Sequence, residues 1–375
     1  MGVVNIKCSK CLCEDSRYFM DGICRRCIRY QNRIVEEYDM NIDDSDYTLE
    51  FSLTTFQKET SNKLISALEK GHVLLEAVCG AGKTEMCYEL VRRSIEEGKK
   101  VGWAIPRRQV VLELAERIQS NFKHIKVTPV CEGYTEDLVG DLIICTTHQL
   151  YNYHQYFDIL IVDEVDAFPF YGDDLLFDFM KASVKGHILL MSATVNKSLM
   201  NKFETIEHVL MPFRPNLKPL PIPKVIKSYI NIFKLLKQLK EEKVMIFTPT
   251  IKVAKILSII FCVSYITSET KDKESVLERF KKDSKGKILC TTVLERGVTF
   301  KDTYVIVLEA HHKVYTKASL IQIAGRVMRG DSVKGACYFV SRKFSKDVKE
   351  CIDQLQRTNR YAESVLKASP KDLIS

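Results

Sequence analysis

In the stretch CGAGKTEMCYEL, beginning at Cys79, two glycines, a lysine and a threonine stand in the order that phosphate chemistry requires. Gly80 and Gly82, with Ala81 between them, let backbone amides wrap around a phosphate, and a helix predicted to follow adds its positive N-terminal end. Lys83 is placed to reach the β and γ phosphates, and the Thr84 hydroxyl to ligate Mg2+. The full pattern G-x-x-x-x-G-K-[ST] fails at its first position, Ala77. Eighty residues beyond Lys83, the apolar run FDILIVDEVDAF ends in Asp163 and Glu164. Carboxylates at the C-terminal edge of a parallel sheet face the crevice where ligands bind. Asp163 suits a hold on Mg2+ through water, and Glu164 suits orienting and deprotonating an attacking water. Alone, DEVD is as well explained by an acidic turn closing a strand. Behind GAGKT it completes a site for ATP and Mg2+.

Two more groups of residues carry chemistry. QIAGRVMRG puts Gln322, Arg326 and Arg329 on one predicted helix, with the arginines three apart and so on one face. Guanidinium groups aimed at a γ-phosphate contribute about 10³ to 10⁵ in rate, although by spacing alone a basic surface helix explains them better. Near the start, CSKC and CRRC set Cys8, Cys11, Cys24 and Cys27 as two C-x2-C knuckles around RYFMDGI. Asp21-Gly22 is a hairpin signal, so knuckle, strand, turn, strand and knuckle form the plan of a zinc ribbon. Four thiolates suit tetrahedral Zn2+, and so small a unit has too little core to fold without a staple. Cys13 is a spare that could replace Cys11. Disulfides and free thiols are the alternatives.

These residues need a scaffold, and its outline is legible. At about 150 residues per domain, 375 residues imply two or three units. Residues 1–34 form the cysteine module, and residues 35–53 an acidic linker. From Val35 to Phe51 that linker holds seven acids and no base, which reads as a solvated linker or an edge. FQKETSNKLISALEKG is an amphipathic helix ending at a glycine. HVLLEAV, VGWAI, DLIICTT, FDILIVD and HILLMSAT are buried strands with helices between most of them, which indicates a parallel sheet covered on both faces. MPFRPNLKPLPIPK then packs five prolines into fourteen residues, a density that helices and central strands exclude. Beyond it KVMIF, VSYIT, KILCTT, TYVIVLE and GACYFV restart the alternation. The expected architecture is therefore α/β: one domain over residues 54–211, a hinge at 212–223 and a second domain over 224–375.

Composition sets limits on function. The chain is 46% apolar and 28% charged, which excludes a disordered tail, a fibre and a membrane bundle. Its longest run without Asp, Glu, Lys or Arg, Leu142 to Phe157, is sixteen residues, too short for a span of about 20. MGVVNIKCSKC lacks an apolar signal core, and thirteen scattered cysteines fit a reducing cytosol. From Arg214 onward there are 32 Lys+Arg against 16 Asp+Glu, whereas the rest of the chain is net −8. That asymmetry suits a polyanion facing the C-terminal part, and a lysine-rich solvated surface equally well.

In order, Gln57, GAGKT, PRRQVV, TTHQL, DEVD, SAT, ERG and QxxGRxxR resemble the motifs of superfamily 2 helicases over about Thr54 to Val340. That resemblance implies two tandem RecA-like P-loop domains that clamp ATP and carry a single strand. It implies that Gln57 pairs with the adenine edge, although Thr54-x-x-Gln57 is also a helix capping box. By the same match Arg107, Arg108, Thr147, Thr291 and Thr292 contact the nucleic-acid backbone, and Ser192 and Thr194 couple hydrolysis to domain movement. Hydroxyls and arginines suit phosphate contacts, which position a strand without reading it.

More narrowly, DEVDAFPF, LERGVTF and the four-cysteine module look like the ComFA family of late-competence translocases. This resemblance implies ATP-driven handling of single-stranded DNA in transformation, with other DNA-uptake proteins as partners. It implies a cytoplasmic place and leaves open the inner face of the membrane and an oligomer. An RNA helicase and a nucleotide-gated binding scaffold are the competing functions. Retention of Lys83, Asp163, Glu164, Arg326 and Arg329 argues against the scaffold.

Overall fold

The computed structural model describes the chain apart from residues 1–6, 31–32, 34, 37, 41–43, 196, 229, 271, 293–299, 329, 331 and 369–375. Two compact units divide it: Met1–Ala77 with Lys83–Met211, and Val78–Gly82 with Pro212–Ser375.

The first unit opens with a hairpin, β1 (Phe19–Met20) and β2 (Ile23–Cys24), paired antiparallel. Its turn residues Asp21 and Gly22 both take positive φ, 51° and 78°, as a tight two-residue hairpin turn demands. After α1 (Thr55–Leu68) come β3 (Val73–Ala77), α2 (Lys83–Met86), α3 (Tyr88–Glu96), β4 (Val101–Ile105) and α4 (Arg108–Asn121). The unit continues through β5 (Val127–Val130), β6 (Leu142–Thr146), β7 (Phe157–Val162), α5 (Asp174–Ser183), β8 (Val184–Ser192), α6 (Lys197–Met200) and β9 (Glu207–Met211). Seven parallel strands among the described residues run in the order β5-β6-β4-β7-β8-β3-β9. β4 and β6 are buried along their whole length, which is why VGWAI and LIICT read as unbroken apolar runs.

The order has one consequence for chemistry. β8 lies between β7 and β3, so the C-terminal ends of the three strands stand side by side. Those ends lead into DEVD, SAT and the glycine loop.

The second unit holds β10 (Lys224–Ile226), α7 (Ile230–Gln238), β11 (Lys243–Phe247), α8 (Ile251–Phe261), β12 (Ser264–Ile266) and α9 (Lys273–Lys282). It ends with β13 (Gly286–Cys290), β14 (Thr303–Leu308), α10 (Lys317–Ala324), β15 (Cys337–Val340) and α11 (Lys346–Ala368). Six parallel strands are ordered β10-β15-β14-β11-β13-β12 among the described residues. Val244, Met245, Ile246 and Phe247 of the interior strand β11 are buried. Both units are thus parallel sheets with intervening helices, the expected α/β fold. No helix among the described residues is long and apolar enough to cross a membrane.

Three strands lay outside the sequence expectation: β5, the edge strand β9 and β10. The acidic segment is also less detached than its composition suggests. Tyr47 packs its ring on Tyr88 and Phe122, and the Thr48 amide donates to the Asn121 carbonyl at 3.0 Å.

Candidate nucleotide and zinc sites

The glycine loop leaves β3 with Gly80 at φ 82° and Gly82 at φ 80°, a region that glycine enters without a Cβ penalty. Lys83, first residue of α2, holds its Nζ 3.5 Å from Asp163 Oδ1, with the two side chains 15% and 16% exposed. Asp163 is fixed in turn: its amide donates to the Ala104 carbonyl, and its Oδ1 accepts from the Glu164 amide at 2.8 Å. Glu164 has φ 56°, a left-handed conformation that costs a non-glycine residue about 1–3 kcal/mol and clusters at functional sites. The Thr84 hydroxyl accepts from Arg117 Nη2 at 3.0 Å, and Arg117 Nη1 lies 3.6 Å from Glu85 Oε1. Lys83, Thr84, Asp163 and Glu164 therefore meet at one edge of the sheet. Lysine and hydroxyl suit a polyphosphate with Mg2+, and the two carboxylates suit the metal and a water.

A second link joins DEVD to SAT. Thr194 Oγ1 donates to Asp166 Oδ2 at 2.9 Å, and the Thr194 amide donates to Ser192 Oγ at 2.9 Å. Ser192 Oγ donates onward to the Thr194 carbonyl. Gln57 forms the capping box: its Oε1 accepts from the Thr54 amide at 2.9 Å, and its amide donates to Thr54 Oγ1 at 3.3 Å. Sequence reasoning passed over Arg117 and Asp166. Arg117 had no local signal, whereas the second acid of DEVD could have been paired with SAT.

The proposed nucleic-acid contacts fall in different settings. Arg107 stands at the N-cap position of α4 and is half-buried, and Arg108 is exposed, donating to the Glu132 carbonyl at 2.7 Å over the Tyr134 ring. Thr147 and Thr291 are buried, and Thr292 is half-buried. In the second unit Gln322 is buried within α10, but α10 ends at Ala324 with Gly325 as its C-cap, so Arg326 is buried in the turn beyond it and the single helix expected to carry Gln322 and both arginines is not formed. Arg329 and the ERG residues lie outside the described residues.

The four knuckle cysteines converge, with their sulfurs all within 4.8 Å of one another. Cys8 and Cys27 sulfurs are 3.7 Å apart, and Cys11 and Cys24 sulfurs 3.6 Å apart. A tetrahedron of thiolates at about 2.3 Å from Zn2+ has edges of about 3.8 Å. A disulfide needs about 2.05 Å. Cys13 faces the Asp15 carbonyl instead, so Cys11 is the ligand candidate. Burial pushes the Cys27 thiol up to about 12 and raises Cys11 as well, so a metal here would displace protons from both.

The module is built into the first unit. Cys11, Cys24 and Cys27 share a core cluster with Phe177, Phe179 and Met180, and Cys8 packs against it. Tyr30 sets its ring 4.9 Å from Phe179 and 5.2 Å from Tyr151, and Arg26 pairs with Asp178 of α5 at 2.5 Å.

Comparison with known proteins now gives the class and then the family. Residues 54–202 match the DEAD/DEAH box helicase family, and residues 227–331 the helicase conserved C-terminal domain. Mss116p, solved bound to ssRNA and AMP-PNP, shares the fold with TM-score 0.62 at 20% identity over 82% of this chain and 73% of that one. The chain is a DEAD/DEAH-type, ATP-dependent helicase with two tandem RecA-like domains. Competence protein ComFA of Streptococcus pneumoniae (strain ATCC BAA-255 / R6) is 36% identical over 338 residues, covering 83% of this chain and 78% of that protein. Competence protein ComFA of Bacillus subtilis (strain 168) is 32% identical over 364 residues, 86% and 79% respectively. The chain belongs to the ComFA family.

The packing of the cysteine module sets a test for metal. Purified protein is expected to carry one zinc per chain, measured by elemental analysis. Chelation should unfold the module and also lower the melting temperature of the first unit, by about 2–4 °C per kcal/mol of docking lost. Zinc-free protein with normal melting would contradict this assignment.

Proposed function

We propose that this helicase is an ATP-driven motor on single-stranded DNA that acts in DNA uptake during transformation. The observation that carries the ATPase part is the meeting of Lys83 and Asp163 at 3.5 Å beside Thr84 and Glu164. In this account Gly80, Ala81, Gly82 and Lys83 cradle the phosphates and Thr84 and Asp163 hold Mg2+. Glu164 takes the proton of the attacking water, while Arg326 and Arg329 stabilise the charge that develops on the γ-phosphate. Gln57 reads adenine, and the Asp166–Thr194–Ser192 chain supports a coupling role for SAT. Arg107, Arg108, Thr147, Thr291 and Thr292 are the proposed strand contacts, and the buried threonines would have to become accessible to serve. Family membership supports the uptake role, since both relatives are named competence proteins. It likewise supports other uptake proteins as partners and a cytoplasmic place near the membrane. Zinc is proposed as a structural ion in the cysteine module.

RNA is the competing polymer. The shared fold does not discriminate, because Mss116p holds ssRNA while RecG, of similar fold, holds a three-way DNA junction. Backbone contacts position a strand without telling the two sugars apart unless a 2′-hydroxyl is read.

Two experiments test the proposal. The ATPase rate should rise mainly with single-stranded DNA, and less with duplex DNA or RNA. Affinity for the strand should fall with salt at about −0.7 per phosphate neutralised. Stimulation by RNA alone would transfer the function to the competing class. In the second experiment, Lys83→Ala should weaken ATP binding and abolish turnover. Arg326→Ala should cut turnover by about 10³-fold while nucleotide affinity, followed with a fluorescent analogue, changes little. Normal hydrolysis by either variant would remove that residue from the proposed site.

A further inference from the structure

The proline-dense segment after β9, expected to be a hinge, contains a buried cation. Arg214 is 2% exposed. Within the second unit it holds four carbonyls: its Nε donates to Cys79 at 3.1 Å, its Nη1 to Val327 at 2.8 Å and Met328 at 3.0 Å, and its Nη2 to Gly325 at 2.9 Å. Two further side chains of the segment continue the pattern. Asn216 Nδ2 donates to the Gly330 carbonyl at 2.8 Å, and Lys218 Nζ to the Ser332 carbonyl at 2.8 Å. Positions 214, 216 and 218 thus engage the carbonyls of Gly325, Val327, Met328, Gly330 and Ser332, beyond the end of α10 and on both sides of Arg326.

Physical reasons make this more than packing. The last carbonyls of a helix have no intrahelical donors, and a cation there also meets the negative end of the dipole. A planar guanidinium presents its donors in a fixed fork, so the four carbonyls bound to it are fixed relative to one another. Met328 sits at φ 57°, a left-handed conformation that a bulky residue keeps only when its surroundings impose it. Its carbonyl is one of the four that Arg214 holds. Arg326 lies between two of these anchored peptides.

We propose that Arg214 is a positioning residue for Arg326: it shapes the peptide on either side and so sets where the Arg326 guanidinium points. The inference rests on the catalytic reading of Arg326. Arg214 need touch neither nucleotide nor strand. A displacement of about 1 Å in a catalytic group is enough to cost about 10²-fold in rate.

The test is a double-mutant cycle in the full-length protein with saturating single-stranded DNA. Arg214→Ala strands buried carbonyls and is expected to destabilise the unit, so Arg214→Lys carries the measurement: it keeps the charge but loses the planar fork. Its kcat should fall by about 10- to 10²-fold, with the KM for ATP and the affinity for a fluorescent ATP analogue within about threefold. In the Arg326→Ala background, Arg214→Lys should cause no further loss of kcat, because both changes act through one group. Arg214→Lys with normal kcat, or a loss that multiplies with that of Arg326→Ala, would overturn the positioning role while leaving Arg326 catalytic. Full turnover by Arg326→Ala alone would overturn both the positioning role and the catalytic reading it rests on.

Discussion

The Lys83–Asp163 ion pair is the interaction around which the rest of the first unit is arranged. Two opposite charges 3.5 Å apart, each mostly withdrawn from water, hold one another where neither would be stable alone. The pair exists because β8 separates β3 from β7 and the three strands end together. It is also an arrangement that Mg2+ and a polyphosphate can replace charge for charge. In the proposed function the phosphate would take the lysine and the metal the carboxylate. Glu164, in its strained conformation, directly follows Asp163, and Asp166, bonded to Thr194, stands three residues beyond it, so a change at the pair has a short path along the chain to both.

A comparable dependence holds at the other end of the first unit. The cysteine cluster sets its sulfurs at the spacing of a thiolate tetrahedron and shares its core with α5 through Phe179, Tyr30 and the Arg26–Asp178 pair. The chain from Asp163 through α5 is therefore anchored at its start by the lysine pair and at its end by the cysteine module. A small domain with little core of its own gains stability by docking as well as by metal.

Much of this was legible in the sequence because the signals are local. GAGKT needs glycines at positive φ, DEVD closes an apolar strand, and Asp-Gly makes a hairpin turn; each is read within a dozen residues. The interior strands announced themselves as unbroken apolar runs because helices cover both faces of the sheets. β5 and β9 did not: Pro129 interrupts one, and Glu207 and His208 at the sheet edge break the apolar run of the other. What stayed hidden depends on distant partners. The grip of Arg117 on Thr84 and the four carbonyls held by Arg214 arise from chain segments far apart in sequence, and the choice of Cys11 over Cys13 depends on where the second knuckle comes to lie. Arg214 was further disguised by its setting, since five neighbouring prolines made the whole stretch read as a linker.

The most direct test of this account is ATP affinity measured against Mg2+ concentration for the wild type and Asp163→Asn. Without Mg2+, the variant should bind ATP at least as tightly as the wild type, because Lys83 is released from its carboxylate and free to meet phosphate. With saturating Mg2+, the wild type should tighten and hydrolyse, while the variant should do neither. Identical affinity of the two proteins across the whole Mg2+ range would show that Asp163 takes no part in nucleotide binding, and the site described here would be wrong.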